Sequence, residues 1–347
     1  MKLRKRVSIS DKKVLLIALV ALGISISLFS ILFVYADVDI LEGYSILFER
    51  GFGTKYIWRT FRRFIPLFLL GLAFLVPAKA KLWNVGGYGQ FALGATGAVA
   101  ITYFLGDLSS GALIPIMAIV SMVIGVAWAF IPAYINAKWD VNEIVTTIMF
   151  NYIAIQIVKY LTIGGPLQEP GGAPRTEHIP SQAYIPKIAG TNVPWTIIIP
   201  FIIAVLLIFF FKKTSLGFEI EAVGASFPSA EYMGVNYTKV VVLTFVVGGA
   251  LAGLAGFSWL TTTVGYVEVD IIPTWGYMAI AFGLFAALNI AATLLYSFVI
   301  TGILVGADLI MRLTPMRSGV PLTMIGIIFI VTTALQVFRI YEVKIRG

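Results

Sequence analysis

Asn142, Glu143, Thr146, Thr147, Asn151 and Gln156 stand within one apolar stretch of a 347-residue chain. None pairs a nucleophile with a base. The chemistry they offer is hydrogen bonding, with both donors and acceptors. Positions 143, 147 and 151 recur every four residues, so on a helix they share one face. Because a polar group in hydrocarbon is costly unless it is paired or wetted, two readings stand open. The stripe lines a pathway, or it hydrogen-bonds between helices, with Glu143 simply at a helix start where a carboxylate is favoured. Lys159, Asp308 and Arg312 fall near span ends, where long side chains snorkel. The chain has no cysteine, so disulfides, thiolate catalysis and cysteine metal sites are excluded. The single histidine, His178, cannot hold a metal alone, and neither a metal nor a cofactor is expected. No phosphate-binding Gly-x-x-x-x-Gly-Lys-Ser/Thr loop is present, so the chain does not itself bind ATP in that manner.

The elements that carry this stripe follow from composition. Hydrophobic residues make up 59% and charged residues 12%, and the mean hydropathy is +0.94. A soluble domain would show roughly 45–50% apolar and about 25% charged residues. The chain therefore reads as an all-α polytopic membrane protein, a single transmembrane domain over 1–347. Its net charge of +8 reports orientation and contact with anionic headgroups of the lipid bilayer, with no nucleic acid partner. The first apolar run, Val14 to Val34, is longer than the roughly 7–15 residues of a signal-peptide core and is expected to remain as a span. Further runs fall near 64–80, 86–105, 111–135, 143–163, 194–211, 239–263, 275–289, 290–311 and 321–338, about ten transmembrane helices in all. The eighth and ninth are divided only by a turn near Asn289. An even count, with Lys2, Arg4, Lys5, Arg6, Lys12 and Lys13 ahead of the first run, puts both termini in the cytoplasm of a cell-membrane protein.

One segment resists this topology. Residues 50–63 place Arg50, Lys55, Arg59, Arg62 and Arg63 on the outer side. A short amphipathic helix in the interface accounts for them, with the arginines reaching headgroups while Tyr56, Ile57, Trp58 and Phe61 face acyl chains. The outer loop 164–194 is rich in Gly and Pro, which predicts a turn-rich cap or a lid, with His178 an ordinary polar loop residue. Gly87, Tyr88, Ala92 and Gly94 reappear at the same spacing as Gly276, Tyr277, Ala281 and Gly283. Under the ten-span topology the two copies run in opposite directions, as an inverted repeat requires. Glycines in 87–97 and 248–256 form small-residue ridges that allow close helix approach.

The segment 212–239 is the long polar interruption, and it reads as a cytoplasmic loop. Within it Ser226 is expected to cap a short helix toward Met233, with Pro228 in the first turn and Gly234 ending it.

These residues carry a resemblance. Asn84-Val85-Gly86-Gly87-Tyr88-Gly89-Gln90 resembles an Asn-Ile-Gly-x-x-Gly-Gln element of permease subunits in ATP-binding-cassette importers for simple sugars, nucleosides and branched-chain amino acids. Asn142 to Ala154 is similar to that family's fifth-span pattern, and Gly165 to Gly172 to the outer loop of its nucleoside-type branch. Ala222-Val223-Gly224 with Ala230-Glu231-Tyr232-Met233-Gly234-Val235 resembles the cytoplasmic segment such permeases present to their ATPase. Two departures are visible: Tyr88 stands where an acid is common, and Ala286-Ala287-Leu288-Asn289-Ile290 replaces a Gly-Arg-Asn turn.

The resemblance implies a transport subunit, not an enzyme, for nucleosides or simple sugars. It implies separate ATPase subunits inside, an extracytoplasmic substrate-binding protein outside, and a second, related permease chain as partner. The coupling loop would act through Glu221, Gly224, Ser226, Ala230, Tyr232 and Gly234, and the translocation path through Asn84, Gln90, Thr147 and Asn151. A branched-chain amino acid permease and a self-sufficient secondary transporter remain as alternatives. The latter would want paired carboxylates near a span centre, and the sequence has none.

Overall fold

Apolar runs interrupted by capping residues fold here as thirteen α-helices among the described residues, with short 3₁₀ and π turns and one pair of short strands. The computed structural model describes residues 2–5, 11–269, 271, 278–286, 288–314 and 319–344. The helices are α1 (Asp11–Tyr35), α2 (Ile40–Phe52), α3 (Ile57–Ala78), α4 (Gly87–Leu105), α5 (Ser110–Trp139), α6 (Glu143–Thr162), α7 (Ile198–Lys213), α8 (Ser215–Ala225), α9 (Phe227–Tyr232), α10 (Tyr237–Trp259), α11 (Met278–Phe285), α12 (Ile290–Leu313) and α13 (Val320–Ile340). The strands, β1 (Lys2–Lys5) and β2 (Tyr341–Lys344), pair antiparallel with Lys2 opposite Lys344, so the all-helical expectation gains a two-stranded addition and the two ends of the chain lie side by side.

The chain divides into two units. One is contiguous, Phe61–Gly283, and the other joins Met1–Thr60 to Leu284–Gly347.

The contiguous unit is built on close backbone approach. α10 packs on α5 and α4, and α4 on α5 and α6. A Cβ at Gly125 would strike the Gly249 carbonyl oxygen, one at Gly253 would strike that of Ser121, and one at Gly94 would sit 2.7 Å from the Gly253 Cα. The Ser121 hydroxyl donates to the Gly253 carbonyl at 2.6 Å, which pins the seam. The ridges expected from glycine spacing are thus the contact itself. α3 and α10 bury 83% and 72% of their apolar windows, whereas α5 and α6 bury only 22%, leaving the latter two at the periphery.

In the other unit α12 packs on α2 and α13, and α13 on α1. A Cβ at Gly51 would strike the Gly302 carbonyl, and one at Gly306 the Leu47 carbonyl. The Tyr296 hydroxyl pairs with that of Thr332 at 2.9 Å, joining α12 to α13.

Several expectations change here. Six helices are long and apolar enough to cross a membrane, with shorter apolar stretches at Leu19–Tyr35 and Val320–Leu335, so the count of ten is not reached among the described residues. α11 has eight residues, about 12 Å of helix against a hydrocarbon core of about 30 Å. That described length is too short to span alone. The turn at Asn289 is present: the side-chain oxygen of Asn289 accepts from the Ala292 N–H and starts α12. Gly276 and Tyr277 of the second repeat copy lie outside the described residues.

The basic segment is also rearranged. Residues 57–63 are the first turns of α3 rather than a separate interfacial helix, and the amphipathic helix of this region is α2, upstream of it. α2 buries Gly43, Leu47 and Gly51, one residue per turn, while Glu42, Glu49 and Arg50 break up its apolar run. The loop 164–194 is an ordered cap with only a short 3₁₀ turn at Ser181–Ala183, as its Gly and Pro content predicts. Thr176 N–H donates to the Val267 carbonyl at 2.9 Å and Ile179 N–H to that of Gly265 at 2.8 Å, so the cap clasps the end of α10 and the turn after it. Gly265 adopts φ +76° there, and a Cβ on it would strike the Tyr184 hydroxyl. Beside it the Glu169 carboxylate, hydrogen-bonded to Arg175 at 3.0 Å, raises the guanidinium above its ordinary value.

Candidate functional site

The polar stripe of α6 has a definite partner. Asn142 caps the helix by accepting from the Ile144 and Val145 N–H groups, which fixes where the stripe begins. From that start, positions 143, 147 and 151 face the stretch that joins α3 to α4. Glu143 Oε1 accepts from the Trp83 N–H at 3.2 Å, Thr147 Oγ1 from Val85 N–H at 3.3 Å, and Asn151 Oδ1 from Gly89 N–H at 2.8 Å. Asn151 Nδ2 returns a bond to the Val85 carbonyl at 3.0 Å. Three acceptors spaced one turn apart thus tie the stretch Trp83–Gly89 to α6: the Val85 N–H is shared with the Trp83 carbonyl at 3.1 Å, and the Gly89 N–H, in the first turn of α4, is one of the donors that a helix start leaves without an intrahelical acceptor.

Asn84 and Gln90 complete the cluster. Their amides bond each other in both senses, Asn84 Nδ2 to Gln90 Oε1 at 3.2 Å and Gln90 Nε2 to Asn84 Oδ1 at 3.1 Å. Asn84 Oδ1 also accepts from Gly86 N–H at 3.0 Å. All four residues expected on the path, Asn84, Gln90, Thr147 and Asn151, are brought together, and all four are at most 4% exposed. Gly89 is required at the contact, since a Cβ there would sit 2.9 Å from that of Ala154.

The other expected site is α8 with α9. Gly224 lets α8 lie directly on the loop after α3, because any Cβ would strike the Lys79 carbonyl oxygen. Lys79 Nζ pairs with Glu221 at 2.7 Å and stands 4.7 Å from the centre of the Phe211 ring. Lys81, itself at φ +60°, donates to the Ala225 carbonyl at 3.4 Å. Ala230 is fully buried beneath α9, while Tyr232 is 94% exposed and Met233 60%. Gly234 ends the helix at φ +80°, with its N–H donating to Glu231 O and that of Val235 to Ala230 O. Pro228 lies in the first turn. Ser226 holds the N-cap position, but its hydroxyl pairs with Ser229 Oγ at 2.9 Å and not with a backbone N–H, so the expected cap bond is not made.

Sequence reasoning missed Lys79, Lys81 and Trp83 as members of this arrangement. Lys79 and Lys81 were visible only as basic residues after a span. Phe227 and Tyr237 were missed too; their rings meet edge to face at 4.8 Å and hold the start of α9 against the start of α10.

Residues 56–332 match the family model described as the permease component of the branched-chain amino acid transport system. The chain belongs to this permease family. It is 30% identical to the glucose ABC transporter permease protein TsgB13 of Haloferax volcanii, over 89% of this chain and 84% of that one. It is 29% identical to the guanosine ABC transporter permease protein NupP of Bacillus subtilis, over 90% of each. The nucleoside ABC transporter permease protein NupB of Lactococcus lactis is 31% identical over 70% of this chain and 69% of its own. No solved structure matches the chain. The match to the permease family covers both the α6 stripe and the α8–α9 segment.

Proposed function

We propose that this permease is the transmembrane subunit of an ATP-binding-cassette importer for nucleosides or simple sugars. Separate ATPase subunits dock on α8 and α9 from the cytoplasm, and an extracytoplasmic binding protein delivers the cargo. The observation that carries this reading is the form of the α8–α9 segment. A six-residue helix with one face buried at Ala230 holds Tyr232 and Met233 out to solvent, and Gly224 anchors its support on the loop after α3. An exposed aromatic on a braced short helix suits insertion into a groove on a partner. Both termini are assigned to that same cytoplasmic side, in keeping with the pairing of β1 and β2.

The same loop supports a route for motion. Lys79 to Lys81 touch α8, and Trp83 to Gly89 hang from the α6 stripe, so a push on α8 bears on α6 through one continuous stretch of backbone. Asn84, Gln90, Thr147 and Asn151 then belong to the translocation path as the polar seam whose bonds exchange when access alternates. Relatives named for guanosine and for glucose support the cargo classes. A second permease chain is favoured because two guanosine permease proteins of Bacillus subtilis, NupP and NupQ, both resemble this chain, as do TsgB13 and the putative glucose permease TsgC13 of Haloferax volcanii.

The test replaces Tyr232 and Gly234 with bulky charged residues in the assembled transporter. Cargo-stimulated ATP hydrolysis should disappear while the purified permease still folds. Retention of that stimulation would remove α9 from the coupling role. Binding of a nucleoside, a pentose or a branched-chain amino acid by the cognate binding protein then decides the cargo.

A further inference from the structure

Around the junction of α2 and α3 three cations gather on one aromatic ring. Arg50 Cζ lies 4.2 Å from the centre of the Tyr56 ring, Lys55 Nζ 5.6 Å and Arg59 Cζ 5.7 Å, and Arg59 also sits 5.2 Å from the Trp58 ring. A ring has two faces and one quadrupole, so it cannot balance three charges. The three stand within roughly a Debye length of one another, about 10 Å at 0.1 M salt, and repel. Among the described residues none of the three has a carboxylate within ion-pair distance. Arg50 Nε is, in addition, buried with no hydrogen-bond partner. A desolvated guanidinium nitrogen with nothing to donate to is a costly arrangement, kept here beside two further cations that have no carboxylate partner among the described residues.

The cluster is held in place before any ligand arrives. Tyr56 and Ile57 N–H groups both donate to the Gly53 carbonyl, at 2.9 Å each, closing a tight turn between the helices. The buried Thr60 hydroxyl donates back to the Gly51 carbonyl at 2.5 Å, tying the first turn of α3 to the last turn of α2. Gly51 in turn rests on the Gly302 backbone of α12. Arg50 and Arg59 are thus fixed relative to each other, which is what a forked guanidinium pair needs for phosphate oxygens.

We propose that this junction binds the phosphate of an anionic phospholipid headgroup. Arg50 and Arg59 donate to the phosphate oxygens, Lys55 supplies a mobile charge from the turn, and Tyr56 and Trp58 hold the boundary between headgroup and acyl chain. A phosphate with net negative charge is required because three positive charges face it. Aromatics beside the cluster and an amphipathic helix leading into it favour a lipid over free phosphate as the source. The site is independent of the coupling segment and of the cargo.

The experiment uses the purified full chain, delipidated in detergent, and titrates it with a phosphatidylglycerol, a phosphatidylcholine of the same acyl chains, or inorganic phosphate. Binding is read by native mass spectrometry and by the thermal midpoint. Wild type should prefer the phosphatidylglycerol by about tenfold or more, a difference well above the scatter of non-specific binding. K55Q/R59Q should reduce that preference at least about fivefold, and R50K/R59K, which keeps the charge and loses the fork, should fall between. Should K55Q/R59Q fail to fold, K55Q alone, at an exposed position, serves the same comparison. Equal affinity of wild type for the two lipids, or a preference untouched in the variants, overturns the proposal. An equal thermal shift from inorganic phosphate overturns the assignment to a lipid.

Discussion

Replacing Asn151 with leucine removes two bonds at once from a site that is 4% exposed. The Gly89 N–H loses its acceptor at 2.8 Å and the Val85 carbonyl its donor at 3.0 Å, and neither group has another partner of comparable geometry. Hydrogen bonds between membrane helices average about 0.6 kcal/mol and reach about 1.7. A buried polar group left unsatisfied costs about 1–3 kcal/mol. Because leucine is close in size to asparagine, little cavity forms, and the loss should lie at about 2–4 kcal/mol for the two groups together. Thr147→Val offers the internal standard. It removes one longer acceptor, 3.3 Å from a Val85 N–H that keeps the Trp83 carbonyl, together with a local donation to the Glu143 carbonyl within the same helix, and should cost about 0.5 kcal/mol. Unfolding of the purified permease in mixed micelles titrated with dodecyl sulfate, followed by tryptophan fluorescence, measures both. A cost for Asn151→Leu below about 0.5 kcal/mol, or a larger cost for Thr147→Val than for Asn151→Leu, would refute the idea that the stripe holds up the start of α4.

Other outcomes follow from the same geometry. Gly253→Ala puts a methyl group on the Ser121 carbonyl and should cost about 1–3 kcal/mol in that assay, whereas Gly111→Ala, with nothing within 4 Å, should be neutral or slightly stabilising. Tyr232→Ser, at a 94% exposed position, should leave stability within about 0.5 kcal/mol of wild type while abolishing cargo-stimulated ATP hydrolysis in the assembled transporter. Gly234→Ala should lower stability by about 1 kcal/mol through its φ of +80°, detected as greater protease sensitivity of the 226–236 segment. Lys79→Met should lower transport per ATP, and exchange of the pair as Lys79→Glu with Glu221→Lys should restore part of it, which simple loss of folding would not allow.

Hydrophobic runs located most of the long helices, because hydropathy over about 20 residues leaves little choice of structure in lipid. α2 escaped notice for the converse reason. Its buried face is one residue per turn, Gly43, Leu47 and Gly51, and the charges between them hide the period. The early start of α3 was obscured in the same way, since Arg59, Arg62 and Arg63 read as a boundary although the backbone is already helical. The four-residue spacing of Glu143, Thr147 and Asn151 was legible, but its partner was not. The groups they satisfy are backbone N–H groups some 60 residues earlier, and backbone donors leave no mark in composition. In the α8–α9 segment the turn chemistry of Pro228 and Gly234 was readable locally, while the support from Lys79 depends on tertiary approach through Gly224.

The division of the chain sets an order of assembly. The unit Phe61–Gly283 is one uninterrupted length, but the other needs α12 and α13 to complete what α1 and α2 begin. During synthesis the glycine face of α2 is made more than two hundred residues before the Gly302 and Gly306 surface that receives it. The contiguous unit can finish first, reversing the usual order in which the beginning of a chain folds before its end. Until then α1 and α2 wait with their partners unmade, and the synthesis of α12 and α13 is what releases them.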